Sequence, residues 1–255
     1  IGNPQNLLIA INGSLTNPFL VFFQYLFIPT VANLVLAYLL LRLFYKSQFQ
    51  QTAIEIPKEC ISDPTLANIS RISIILLLIL ILAKVLAVTV QSSQHFSLTY
   101  IAIFSALPVI LFSSRRWEIM KHIDWCTLVF FAAMFVLMDS VWRSGFFQSM
   151  MEESSLGFGS IPVILALSVF LSQIISNVPF VALFQPLLIN PSAQDLMALA
   201  AGSTIAGNLF ILGAASNVII IQNAEKSGET LTFLDFARVG VPLTALNVFV
   251  YWIFL

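Results

Sequence analysis

The chain has 255 residues, 59% of them apolar and 9% charged, with a formal net charge of −1 and a mean hydropathy of +0.95. Charge-free runs over residues 1–41, 85–114, 154–194 and 239–255 hold more hydrocarbon than a soluble core of this length can bury, which excludes a water-soluble globular protein. The net charge of −1 says nothing about a nucleic-acid partner, and none is expected.

In chain order the pattern predicts an all-α polytopic membrane protein. Residues 1–6, IGNPQN, precede an apolar run (Leu7–Ile11) and a polar turn (Asn12–Asn17). Spans of about 20 apolar residues, enough to cross a ~30 Å hydrocarbon core, then fall near 18–44, 71–90, 98–113, 122–143 and 232–255. Loop 47–70 carries Ile54, Ile56 and Ile61 among polar residues, with Pro57 and Pro64, and reads as a surface-lying connector between rigid bodies. Two further apolar elements, 160–190 and 193–226, are interrupted. The first contains Ser176-Asn177-Val178-Pro179, where Pro removes a donor and disfavours helix at the residue before it. The second contains Leu212–Asn217, LGAASN. Stretches such as Ser73–Ala83 and Thr127–Met138 are continuously apolar, without the two-residue alternation of a membrane barrel.

LGAASN repeats the device of IGNPQN, and the pattern downstream of each is repeated too. Phe23, Pro29, Ala32 and Tyr38 have the same mutual spacing as Phe236, Pro242, Ala245 and Tyr251. A duplicated Gly/Asn interruption in an apolar chain is the sequence mark of a transporter built from repeats. Basic residues set the orientation. With 46–70 and 114–121 cytoplasmic, nine of eleven (Arg42, Lys46, Lys58, Arg71, Arg115, Arg116, Lys121, Lys226, Arg238) fall on that side and only Arg143 falls outside. That count requires 160–190 to enter and leave by one face as a re-entrant hairpin. The first copy then reaches the outer face at Asn12–Asn17 and the second the inner face at Glu225–Glu229, so the copies are inverted. The expected organisation is 1–46 as the end of a first repeat, 47–70 as connector, 71–121 as scaffold helices with a cytoplasmic loop, and 122–255 as the second repeat.

Irregular backbone at membrane depth is tolerated only where it is buried in protein or lines a wet cavity. The breaks at 1–6, 176–180 and 213–217 are therefore expected to converge, offering helix N-terminal amides to anionic or electron-rich groups and C-terminal carbonyls to a cation. Asn6, Asn177 and Asn217 add neutral amides there, and Ser176 and Ser216 add hydroxyls.

The segments IGNPQN (1–6), KHIDWCTLVFFAAMFVL (121–137), SNVPF (176–180) and AGSTIAGNLFILGAASNVIIIQNAEKSG with TFLDFARVGVP (201–242) resemble the ArsB/NhaD branch of the ion transporter superfamily. That branch holds arsenite permeases, sodium/proton antiporters and the pink-eyed dilution protein, with dicarboxylate/sodium symporters as more distant relatives. The resemblance implies two inverted repeats, each with a re-entrant hairpin and a broken helix around a central site, in a homodimer that works by an elevator-like motion. It also implies one ion or substrate half-site from Ser176, Asn177 and Gly213–Asn217, and another from Gly2, Asn3 and Asn6. The antiporter branch tends to carry Asp-Asn at the hairpin tip, whereas this chain has Ser176-Asn177, which argues against carboxylate-based sodium/proton exchange. The later repeat has about 90 residues before its break and the earlier one has none, so the missing half is expected upstream in the same polypeptide or in another.

Other residues have two readings. Asp139 is a candidate for proton coupling as an intramembrane acid, or an interfacial i,i+4 ion pair with Arg143. Lys84 either snorkels to the headgroups or couples transport. His95 and His122 sit in loops, where they could sense pH. Gly202 and Gly207 suit close helix packing as well as ligand approach, and Asn208, one amide in an apolar span, is a binding candidate. Cys60 and Cys126 form no ligand pattern. Neither an intramembrane Ser–His pair nor clustered aspartates are present, so no enzyme is expected, and a channel is the competitor of another class. The reading is an inner-membrane secondary transporter of a small inorganic ion or oxyanion-like solute, arsenite efflux first, with a sodium/proton antiporter or sodium-coupled dicarboxylate or anion carrier as alternatives. No cofactor beyond a coupling H+ or Na+ is expected, and no metal site.

Overall fold

A computed structural model describes residues 2–47, 49, 61, 63–90, 97–152, 159–226, 228 and 230–255. Lys58, Cys60, His95, Ile1 and most of the connector lie outside the described residues. The described residues form helices and turns without strands: α1 (Pro4–Asn12), α2 (Pro18–Phe44), α3 (Pro64–Thr89), α4 (Leu98–Phe112), α5 (Arg116–Lys121), α6 (Trp125–Arg143), α7 (Phe146–Glu152), α8 (Ile161–Ile175), α9 (Asn177–Phe184), α10 (Ala193–Ile205), α11 (Ala215–Lys226) and α12 (Phe233–Phe254). Among them α2, α3, α6 and α12 are long and apolar enough to cross a membrane, and the chain is an all-α polytopic membrane protein.

Short polar signals start these helices. Asn3, Asn17 and Asp63 each precede a proline and accept the backbone N–H three residues on, from Asn6 at 3.0 Å, Leu20 at 3.3 Å and Leu66 at 3.0 Å. Proline at the first helical position lacks the N–H that would go unpaired there. α10 and α12 start with capping boxes, Ser192/Asp195 and Thr232/Asp235. The Asp63 cap moves the start of α3 seven residues ahead of the expected 71, so 64–70 is helix and not connector. Residues 116–121 and 146–152, expected as loops, form the short helices α5 and α7.

The chain divides into two compact units, residues 1–52 with 131–255, and residues 53–130. In the second, α3 and α4 pack along each other. α3 presents Ile72, Ile75, Ile79 and Leu82 outward, as hydrocarbon solvent permits. Its polar turns are locally satisfied. Glu118 pairs with Arg115 at 3.5 Å, and the Glu118 carbonyl lies 2.8 Å from His122 Nδ1. Hydrogen bonds from Thr127 hold the Asp124 carboxyl below its ordinary value.

The first unit is built around α10, whose residues Leu196–Ser203 are all buried. α8, α12, α2, α9 and α1 pack against it. Gly202 lets α8 approach so closely that a Cβ there would stand 2.6 Å from Ser168 Cβ. The stacked rings of Phe180 and Phe184, 5.1 Å apart, fill the α9 side of the core.

Two contacts fix the mutual direction of α2 and α12. Arg238 lies over the Phe44 ring at 5.5 Å, and Thr30 shares a 2.9 Å hydrogen bond with Tyr251. Ascending numbers on one helix meet descending numbers on the other, so the helices that carry the repeated Phe/Pro/Ala/Tyr spacing run antiparallel. Opposite directions are what inverted copies require.

Candidate functional site

The interruption in 160–190 falls at Ser176, between α8 and α9. Its φ of 68° and ψ of 160° occupy a region that is essentially glycine's, at a cost of about 1–3 kcal/mol. Pro179 is not the breaker. It sits inside the first turn of α9, where a missing N–H costs nothing, and Val178 before it is helical. α8 is about 22 Å long and the helical stretch Asn177–Leu187 about 16 Å, so neither alone crosses a ~30 Å core. The second interruption covers 206–214, two short 3₁₀ turns between α10 and α11. It lies earlier than the expected 213–217, and Ser216 and Asn217 belong to the first turn of α11.

These interruptions meet at the last turn of α10. Asn3 Nδ2 donates to Thr204 Oγ1 at 3.5 Å, Gln173 Nε2 donates to the Ala206 carbonyl at 2.8 Å, and Asn217 Nδ2 donates to the Gly207 carbonyl at 2.7 Å. The start of α1, the last turn of α8 and the start of α11 therefore gather around residues 204–207. A helix start carries unpaired N–H groups and a positive dipole end. None of the side chains in this network is ionisable.

Several polar atoms here are buried without a partner: Asn6 Oδ1, Ser172 Oγ, Gln173 Oε1 and Asn177 Oδ1. Each would cost about 1–3 kcal/mol if left so, and the cost disappears when a ligand or water supplies the missing bond. Asn6 also edges a groove of about 480 Å³ lined by Phe19, Phe22, Phe23, Phe27 and Thr30.

Of the residues expected from sequence, Asn3, Asn6, Ser176, Asn177, Gly213 and Asn217 are brought to the two breaks and the α10 end. Gly213 is held tightly, since a Cβ there would lie 2.6 Å from the Ala206 carbonyl oxygen. Asn208 presents its backbone carbonyl to Gly240 of α12, and only the lack of a side chain on Gly240 lets the two approach. Gly2 and Ser216 are exposed, and nothing surrounds the Cβ position of Gly2 within 4 Å. Gln173 and Thr204 bond where the breaks meet but carry no sequence signature. Gln173 is visible only as an amide in an apolar run three residues before the Ser-Asn pair.

Asp139 stays away from the breaks. Its Oδ2 lies 2.8 Å from Arg143 Nε, with both side chains well exposed, and it lines a small groove beside Ala182 and Pro186 at the far end of α9. Exposed ion pairs contribute about 0–1 kcal/mol. Asp139→Asn is therefore expected to leave transport and its pH profile within about twofold of wild type, as checked by flux at several pH values. Among the described residues no group of three or more His, Cys, Asp or Glu side chains could hold a metal ion.

Comparisons with known proteins give a consistent class. The profile of the CitMHS family, described as "Citrate transporter", matches residues 1–195. The mouse P protein is 31% identical over 60% of this chain and 21% of its own length. The 46 kDa membrane protein of Mycobacterium leprae is 25% identical over the whole chain and 62% of its own length. An uncharacterized transporter of Synechocystis is 24% identical over the whole chain and 63% of its own length. The chain thus spans less than two-thirds of these relatives. No solved structure matches.

Proposed function

Because this chain belongs to the CitMHS citrate transporter family, we propose that it forms part of a secondary active transporter whose solute is a small multivalent anion of the carboxylate class, held where the two breaks meet. The observation that carries the reading is the gathering of two helix starts, α1 and α11, and of the α8 end of the hairpin break around one turn of α10. Anions bind such places through unpaired N–H groups and the dipole, without a basic side chain. A site built this way holds a solute weakly enough to release it, and the absence of Asp or Glu from the network avoids repulsion of a carboxylate.

Arsenite efflux, implied by the likeness to the ArsB/NhaD branch, is the competing reading. A neutral trivalent arsenic hydroxide could use the amides and hydroxyls of Asn6, Ser172 and Asn177, but it would gain little from the helix starts. Sodium/proton exchange is less favoured, because Ser176 stands where that branch tends to carry the titrating carboxylate. Among the partnerless atoms, the amide oxygens of Asn6, Gln173 and Asn177 suit a cation or a proton donor travelling with the anion.

By the likeness to the ArsB/NhaD branch we place the protein in the membrane as a homodimer, and we place 46–63 and 114–121 on the cytoplasmic side of the inner membrane. The support is the one-sided distribution of basic residues. Two neighbourhoods suit that topology: Asn12–Ser14 shares a groove of about 610 Å³ with Gln185–Pro191, both assigned to the outer face, and Phe44 meets Arg238 at the inner one. The unit that carries both breaks is a single compact body, which suits alternating access by movement of the site as a whole.

Flux into vesicles reconstituted with the purified protein, with citrate, a dicarboxylate, arsenite and sodium compared side by side, tests the proposal. Saturable uptake of a carboxylate driven by a cation gradient is expected. Flux of arsenite alone, or ohmic conductance, would reject it.

A further inference from the structure

Gln173 occupies the last turn of α8, three residues before the strained Ser176. Its Nε2 donates to the Val169 carbonyl of its own helix at 3.0 Å and to the Ala206 carbonyl at 2.8 Å. Ala206 is the first residue of the unwound stretch, and Gly213 is near its end. Gly213 also packs on the same carboxamide, so that a Cβ at 213 would stand 2.7 Å from Gln173 Oε1 and 3.0 Å from Nε2. One side chain of the hairpin thus touches both ends of the unwound segment.

Carbonyls at the end of a helix call for donors. When a helix ends at membrane depth its last carbonyls lose their partners, and each unpaired group in a water-poor region costs several kcal/mol. Asn217 supplies the donor for Gly207 from within the broken helix. The Ala206 carbonyl accepts the Leu209 N–H at 3.2 Å and a second, shorter bond from another element, α8, through Gln173 Nε2. That bond couples the backbone of the break to the hairpin tip.

We propose that Gln173 is the positioning residue that clamps the unwound segment 206–213 to the hairpin, so that Asn177 and the break present one preorganised site. The inference rests on the reading of the breaks as the solute site. No ionisable group competes at this position. α9, α10, α12 and the two 3₁₀ turns pack on α8. Their charged residues are engaged elsewhere, Asp195 with Ser192, Asp235 with Thr232 and Arg238 over Phe44.

Two variants of nearly equal shape test the clamp. In Gln173→Glu the protonated carboxyl can still donate to the Ala206 carbonyl, whereas the carboxylate can only repel it. Burial raises a carboxyl above its ordinary value of about 4.3, so transport near wild type is expected at acid pH, falling by about tenfold or more as the pH rises through neutrality. Wild type should lack that step. Gln173→Met, which has no donor at any pH, should lose about tenfold throughout. A Gln173→Glu protein with the wild-type pH profile, or with the same loss at every pH, would overturn the clamp. The two readings fail separately. Wild-type flux in Asn177→Ala would reject the breaks as the site, while an inactive Asn177→Ala beside a pH-insensitive Gln173→Glu would reject only the clamp.

Discussion

Replacing Asn177 by alanine should cut solute flux by about 10- to 100-fold while the protein still inserts and stays monodisperse in detergent. The magnitude follows from the loss of a buried hydrogen bond to a charged partner, about 1.5–3 kcal/mol. Asn177 is the first residue of α9, beside the helix start, and its Oδ1 is buried with no protein partner. Removing the amide deletes no protein–protein hydrogen bond through that oxygen, so stability should change little. Asn217→Ala should differ in kind, because its Nδ2 is committed to the Gly207 carbonyl. That variant should lose stability as well as flux. Flux per inserted molecule, measured together with thermal unfolding in detergent, separates the two. Equal flux in wild type and Asn177→Ala would remove Asn177 from the site.

Much of this arrangement is legible in the chain because membrane helices announce themselves by apolar length and their starts by short polar signals. The bounds 18–44 follow from Asn17-Pro18 and a charge-free run ending at Arg42, and the structure has Pro18–Phe44. Asp63-Pro64 is the same device, and it sets the α3 start that hydropathy alone puts at 71. The i,i+4 spacing of Asp139 and Arg143 is enough to suggest their ion pair.

The features hidden from the sequence are non-local. That Ser176 rather than Pro179 breaks the hairpin depends on a positive φ, which no serine declares in sequence. Gln173 gains its meaning from a carbonyl 33 residues away. Asn177 and Asn217 look equivalent as amides next to breaks, yet one has a free oxygen and the other is spent on the backbone. The difference arises from where the unwound segment lies, 206–214, several residues ahead of the Asn that marks it.

The glycines offer the sharpest contrast between a residue singled out by motif and one required by packing. At Gly240 an added Cβ would collide with the Asn208 carbonyl oxygen and stand 2.8 Å from that of Leu209. Both obstacles are backbone, so no side-chain rotation relieves them. Ala is the better helix former by about 1 kcal/mol, which opposes the effect. Overpacking costs about 1–3 kcal/mol or more when backbone must shift, and here the backbone that must shift is the break itself. Gly240→Ala should therefore lower stability and depress flux together, by pushing 208–209 away from α12. Gly2, in the IGNPQN motif ahead of α1, has nothing within 4 Å of its Cβ position, and Gly2→Ala should leave both quantities as they are. Thermal unfolding and flux measured on the pair test the contrast: a Gly240→Ala protein as stable and active as Gly2→Ala would mean that α12 and the break do not touch as closely as this fold requires.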